Sequence, residues 1–443
     1  MQIKARTLSC LALVVTTLAI TSCGTRAPVP TEGEAAATGG ADQIATLRIE
    51  SSVTRDALQG AMPGARMLSF NPAGGYAILS VTGQDGRAAG ARLNSQSLRT
   101  LGVSSVQFEA DVVLSAPSDP RADGLGLTGW AGGITGWAAG ITGWAAGANI
   151  LPETDWNRAV AYWNALGLPQ AQQLVPERGQ GVKVAVLDTG VDLNHPLLQG
   201  RVDAAAGWDF VDGDALPQEE HALLGDGKYG HGTAVTGIVL QVAPNAKVLP
   251  LRVLSPDGSA PMSRVVQALD RAVASGAKVV NLSLGSTTDS TALNTAIAGA
   301  LAQGVLVVTS SGNSGTEGMV YPARKVNSAT FPADSGLLAV GSVSPGLYKS
   351  DFTSYGVNMS LTAPGEEVLT TFPDNRLVRA TGTSFAAPAV AGALALALSA
   401  GPSSPARLVT DLCATARANL DPIFKTKLGA GTLDVAAFVD TYR

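Results

Sequence analysis

The stretch Val182-Lys183-Val184-Ala185-Val186-Leu187-Asp188-Thr189-Gly190 decides the fold. It is short, almost wholly apolar and stopped by a glycine, the pattern of a strand buried on both faces, as in a parallel sheet. Similar runs recur at residues 247–254, 278–284, 305–309 and 337–343, with helical patterns between them at 233–241, 263–275 and 291–302. This alternation predicts an α/β domain built on an open, mostly parallel, doubly wound sheet with helices on both faces. Such sheets bind ligands beyond the carboxyl ends of their strands. Asp188 and Asn313 both fall at such ends.

Further along, Gly382-Thr383-Ser384-Phe385-Ala386-Ala387-Pro388 is a small-residue turn that delivers a hydroxyl. The apolar run 385–400 that follows predicts a buried helix with Pro388 in its first turn, where a missing N–H does no harm. A serine hydroxyl alone is a poor nucleophile and needs a base with an orienting acid. His231 stands in Gly230-His231-Gly232-Thr233-Ala234-Val235-Thr236-Gly237, where glycines lead into a helical stretch, and Asp188 ends the first strand. The chain has three histidines; His195, before a proline, and His221, in an acidic loop, lack the flanking glycines and are expected to be structural or at the surface. Taken alone, Asp188 is equally a turn residue, and Asn313 beside glycines is ordinary loop chemistry.

The conjunction carries more than its parts. The order Asp, His, Ser, with the strings VLDTGVD, GHGTAVTG and GTSFAAP, resembles the subtilisin-like serine proteases, or subtilases. A fourth string, Thr309-Ser310-Ser311-Gly312-Asn313-Ser314-Gly315, is similar to the segment that carries their oxyanion asparagine. The resemblance spans roughly residues 150–443 and implies a subtilisin-like fold and a serine-type endopeptidase. It assigns Asp188, His231, Ser384 and Asn313 to catalysis. It makes Ser283-Leu284-Gly285 the extended segment that pairs with substrate backbone, and places Gly312 beside the pocket for the side chain before the scissile bond. Polypeptides are the implied substrates, and no cofactor is required for the chemistry.

Two departures from the family pattern stand out. Ala234 occupies the place where most members carry a second histidine. Residues 241–244 are shortened and Leu197 follows His195-Pro196 where relatives often have aspartate, so the family's best-known calcium site is expected to be absent. Calcium elsewhere stays open, for instance in the acidic stretch 209–226, because clustered carboxylates suit a hard cation; the alternative is a solvated acidic loop.

Upstream, Lys4 and Arg6 precede an apolar run over residues 8–20 that ends in Ile20-Thr21-Ser22-Cys23, a secretory signal too short to span a bilayer. Its ending resembles a bacterial lipobox, which would lipidate Cys23 and hold an exported protein at a membrane, facing outward. Ordinary signal cleavage and secretion is the other reading. A polar linker covers 24–44. Residues 45–115 follow a βαββαβ series, with strands at 46–50, 67–70, 75–81 and 105–113 and helices at 54–61 and 95–101. By position this small α+β ferredoxin-like unit resembles the pro-domain of subtilases, which covers the protease during folding and leaves its tail in the cleft. Residues 116–150 hold a seven-residue repeat with Trp130, Trp137 and Trp144, expected to be a low-complexity connector in which maturation cleavage falls. The peptidase domain is then 151–443.

Net charge is −5 and no Lys/Arg cluster stands out, which argues against a nucleic-acid partner. Of three cysteines, two lie in the leader sequence, leaving Cys413 as an expected inert packed thiol in a body expected to be monomeric. Two other functions remain open: a catalytically silent surface-binding lipoprotein on the same fold, and an esterase or peptide-ligating variant of the same triad.

Overall fold

A computed structural model describes residues 43–81, 96–116, 162–220 and 228–443; the signal, Cys23, most of the linker, the tryptophan repeat and His221 lie outside them. The N-terminal unit runs β1 (Gln43–Ile49), α1 (Arg55–Ala61), β2 (Ala65–Asn71), β3 (Tyr76–Val81), α2 (Gln96–Thr100) and β4 (Val103–Ala110). This is the expected βαββαβ series, in an antiparallel sheet of order β2-β3-β1-β4. Thr54 caps α1 by accepting from the Ala57 N–H. Ala45, Leu47, Ala77 and Leu79 point into this unit's own core, whereas the alternate residues Ile44, Tyr76 and Ile78 join a core shared with the larger body.

The last strand does not run on to residue 113 as the apolar pattern suggests. It stops at Ala110, because Asp111 turns to the body and the chain re-forms as β5 (Val113–Ser115), paired antiparallel with β9 (Ser259–Pro261). Two carboxylates hold this exit. Glu109 accepts from Ser290 Oγ (2.9 Å) and from the N–H groups of Thr291 (2.8 Å) and Ala292 (2.7 Å). Asp111 accepts from the Ser263 N–H (2.9 Å) and Oγ (2.6 Å). Both therefore sit at helix N-termini, where unpaired donors and the helix dipole favour negative charge.

In the larger body, β6 (Lys183–Asp188), β7 (Trp208–Asp209), β8 (Lys247–Arg252), β10 (Val279–Leu282), β11 (Leu306–Ser310), β12 (Leu337–Val343) and β13 (Leu361–Pro364) make one parallel sheet of order β13-β12-β11-β10-β6-β8-β7. In β6, Val184 and Val186 face one hydrophobic cluster while Ala185 and Leu187 face the other, so both faces are covered as the apolar run requires. Helix α3 (Leu168–Leu174) precedes β6. On one face lie α4 (His231–Val242) and α7 (Thr383–Ala400); on the other lie α5 (Met262–Ala274) and α6 (Thr291–Ala302). The hairpin β14 (Val368–Phe372) and β15 (Arg376–Ala380) precedes α7, and α8 (Pro405–Ala414) and α9 (Val435–Asp440) close the chain. Helix α7 is apolar and long enough to cross a membrane by composition, yet 83% of it is buried in the core.

The strand order reverses at β6, which has β8 on one side and β10 on the other. A crevice at the carboxyl end of such a switch strand is where doubly wound sheets bind ligands. Asp188 is the last residue of that strand.

Candidate active site

Asp188 is buried at the end of β6. Its Oδ1 accepts from the Thr189 N–H at 2.8 Å and lies 2.7 Å from His231 Nδ1. With Nδ1 donating to the carboxylate, Nε2 is the ring nitrogen left to take up a proton. His231 is the first residue of α4. Gly232 permits this approach of helix to strand: a Cβ there would come within 2.1 Å of Gly190 O and 3.1 Å of Asp188 Cβ. The Gly232 N–H donates to Thr189 Oγ1 at 2.9 Å.

Across the crevice, Ser384 is the second residue of α7, and the Phe385 ring that follows it lies 5.2 Å from the imidazole, centroid to centroid. The end of β6 and the starts of α4 and α7, distant in sequence, thus meet at one end of the sheet. Pro388 sits in the second turn rather than the first. Proline there removes the N–H that would bond the carbonyl of Ser384. Ser283 Oγ donates to that carbonyl instead, at 2.8 Å, and Ser384 Oγ donates to Ser283 O at 3.3 Å.

Asn313, after β11, is buried, and its Oδ1 accepts from both the N–H (3.0 Å) and Oγ1 (2.8 Å) of Thr383. That pair fixes which end of the amide is oxygen, and Nδ2 lies 3.2 Å from where a Cβ on Gly382 would be. Its donor end is therefore beside the turn that leads into Ser384. Thr383 Oγ1 also receives the Gly312 N–H at 3.2 Å. Gly312 has φ 104°, and its neighbours across the backbone are Ser354 and Val320.

The segment after β10 has an occupant. Ser115 of the N-terminal unit exchanges both backbone hydrogen bonds with Gly285, each 2.9 Å, and the Ala116 N–H donates to Gly258 O at 2.9 Å. With β5 on β9 and Ser115 bridged antiparallel to Gly285, residues 113–116 are paired on both sides, and Leu114 is fully buried. An extended peptide is what this cleft pairs with. Leu284 is buried and packs into the core on the α5–α6 face.

Elsewhere, His195 is structural: Nδ1 accepts from the Leu197 N–H at 3.3 Å, so Nε2 donates to Arg376 O at 3.0 Å. Cys413 packs against the core, and burial pushes its thiol up to about 11, which suppresses thiolate chemistry. In the acidic stretch, Asp209, Asp212 and Glu220 converge, but on a guanidinium: Arg252 Nη1 lies 2.5 Å from Asp209 and 2.6 Å from Asp212, and Nη2 lies 2.9 Å from Glu220. Glu219, next in sequence and buried, has its carboxyl raised above the usual range by desolvation, with the Asp188 charge adding to it and donors from Thr189, Gly230 and Thr233 opposing. Sequence reasoning missed Thr383 and Glu219, whereas a tail in the cleft was what the resemblance implied. Only Thr383 had a signal, its place inside the serine motif.

A parallel switch-point sheet carrying a buried carboxylate–imidazole pair opposite a serine at a helix N-terminus defines a serine hydrolase of α/β type. Residues 179–431 match the subtilase family model, and the chain belongs to that family. It is 37% identical over 246 residues to thermitase of Thermoactinomyces vulgaris, covering 53% of this chain and 81% of thermitase. It is 40% identical over 234 residues to subtilisin BL of Lederbergia lenta (51% and 79%) and 35% over 270 residues to subtilisin DY of Bacillus licheniformis (59% and 91%). The protein is thus a subtilisin-like serine endopeptidase.

Proposed function

We propose that the protein is an exported, self-processing endopeptidase precursor in which Ser384, His231, Asp188 and Asn313 carry the reaction. The carrying observation is the buried Asp188–His231 pair at 2.7 Å with its ring against the residue that follows Ser384. Ser384 Oγ attacks the scissile carbonyl while its proton passes to His231 Nε2, and Asp188 holds the ring and stabilises the imidazolium. The carbonyl oxygen becomes an oxyanion, received by Asn313 Nδ2 and the Ser384 N–H. Collapse breaks the C–N bond, the imidazolium gives its proton to the leaving amine, and water then hydrolyses the acyl-enzyme by the same relay.

Residues 43–116 act as the leader, with the tail lying in the cleft as a peptide would. The two-sided backbone pairing of that tail favours polypeptide over small-ester substrates. Cys23 is the proposed lipid anchor, giving an outward-facing membrane lipoprotein, and the mature enzyme acts as a monomer without a catalytic metal. Arg252 pairs with all three carboxylates of the acidic cluster, which supports the view that a guanidinium, not a metal cation, is their partner.

The substitution Ser384→Ala tests the assignment. The precursor should stay full length and denatured protein should go undigested. An Ala variant that matures and digests like wild type refutes it.

A further inference from the structure

We propose that Glu219 is a positioning residue for the reaction, a buried side chain that fastens the His231 helix to the Asp188 loop and so sets the imidazole–carboxylate distance. The inference rests on the triad reading above. Its starting point is a missing cap. Helix α4 begins at His231 with Gly230 as its N-cap, and no side chain bonds the first-turn donors from that position. Gly230 has φ 85°, and a Cβ there would lie 2.3 Å from the Phe372 ring, so a capping side chain is excluded. Capping is delegated to Glu219, twelve residues from His231 in sequence.

Glu219 Oε2 accepts from the Thr233 N–H at 3.1 Å and from Thr233 Oγ1 at 2.9 Å. The same hydroxyl accepts the Asp192 N–H at 2.9 Å, so every atom of the link has one direction. At the other end, the Glu219 N–H donates to Val191 O at 3.1 Å, and the Val191 N–H donates to Pro217 O at 3.0 Å. The backbone of Glu219 is therefore bonded to the loop that leaves Asp188, and its side chain to the helix that starts with His231. Glu219 thus joins the two from both its backbone and its side chain, beside the direct ties from the Gly232 N–H to Thr189 Oγ1 and from the Asp192 N–H to Thr233 Oγ1. A carboxyl this deeply buried, with Oε1 lacking a hydrogen bond, costs free energy that a surface cap would avoid. Position rather than charge is what it supplies: Asp188 on β6 and the Tyr229 phenol before α4 face it, and burial with the Asp188 charge favours its neutral form.

Two variants of the full chain separate reach from charge. E219D keeps the carboxyl but withdraws it by one methylene; E219Q keeps the reach, and its amide oxygen can accept both Thr233 bonds. Turnover of a chromogenic peptide is measured per active site, counted with a fluorophosphonate. E219D should lower kcat about 10- to 100-fold, the scale of an ångström-sized misplacement, with KM within about twofold. E219Q should stay within about fivefold of wild type. The proposal is overturned if E219D keeps wild-type kcat, if the loss falls on KM alone, or if E219Q is slower than E219D. A wild-type chain that neither turns over nor labels strikes the triad reading instead.

Discussion

Replacing Gly232 with alanine probes the contact that brings His231 and Asp188 together. The new Cβ would sit 2.1 Å from Gly190 O, where real Cβ contacts begin near 3.0 Å. Helix α4 and the loop after β6 must therefore part by about 1 Å. The Nδ1–Oδ1 distance of 2.7 Å then becomes about 3.7 Å, beyond hydrogen-bonding range. The Gly232 N–H to Thr189 Oγ1 bond is stretched with it. A displacement of that size at a catalytic pair costs about 100-fold in rate. The assay is peptide turnover by matured enzyme, normalised to titrated active sites, with KM expected to change little because the proposed substrate-pairing segments, β9 and Gly285, lie apart from α4. A kcat within threefold of wild type would refute the reasoning.

Asn313→Ala should lower kcat by about 10²- to 10³-fold with KM nearly unchanged, the range that losing one oxyanion donor costs, subtilisin included. In Glu109→Ala, three charge-assisted bonds to the start of α6 disappear; a loss of about 2 kcal/mol would weaken leader retention about 30-fold, read as a shorter lag before turnover. Arg252→Ala leaves the buried Asp209 carboxylate uncompensated, at a cost of about 3–5 kcal/mol, which calorimetry should report as a Tm lowered by about 10 °C. An unchanged Tm would mean that the guanidinium does not compensate the buried Asp209 carboxylate.

The parallel sheet was legible because β6, β10, β11 and β12 are apolar on both faces and need no tertiary context to be recognised. The candidate site residues stood out in the sequence because each sits in a contiguous string whose small residues answer to local geometry, as Gly232 does beside Gly190. The hairpin β14–β15 was not, since Arg376-Leu377-Val378-Arg379-Ala380 mixes charge with apolar residues and pairs only with its neighbour. Pro388 misled because its lost hydrogen bond is replaced by Ser283, a hundred residues away in sequence. Glu219 was hidden for the same reason: in an acidic stretch it looks solvated, and only folding brings Thr233 to it.

Covalent labelling by a fluorophosphonate, located by peptide mass spectrometry, tests the centre of the account. One phosphonyl group on Ser384, absent when His231 is replaced by alanine, is the predicted result. Wild-type enzyme that cleaves protein while Ser384 stays unmodified would contradict it.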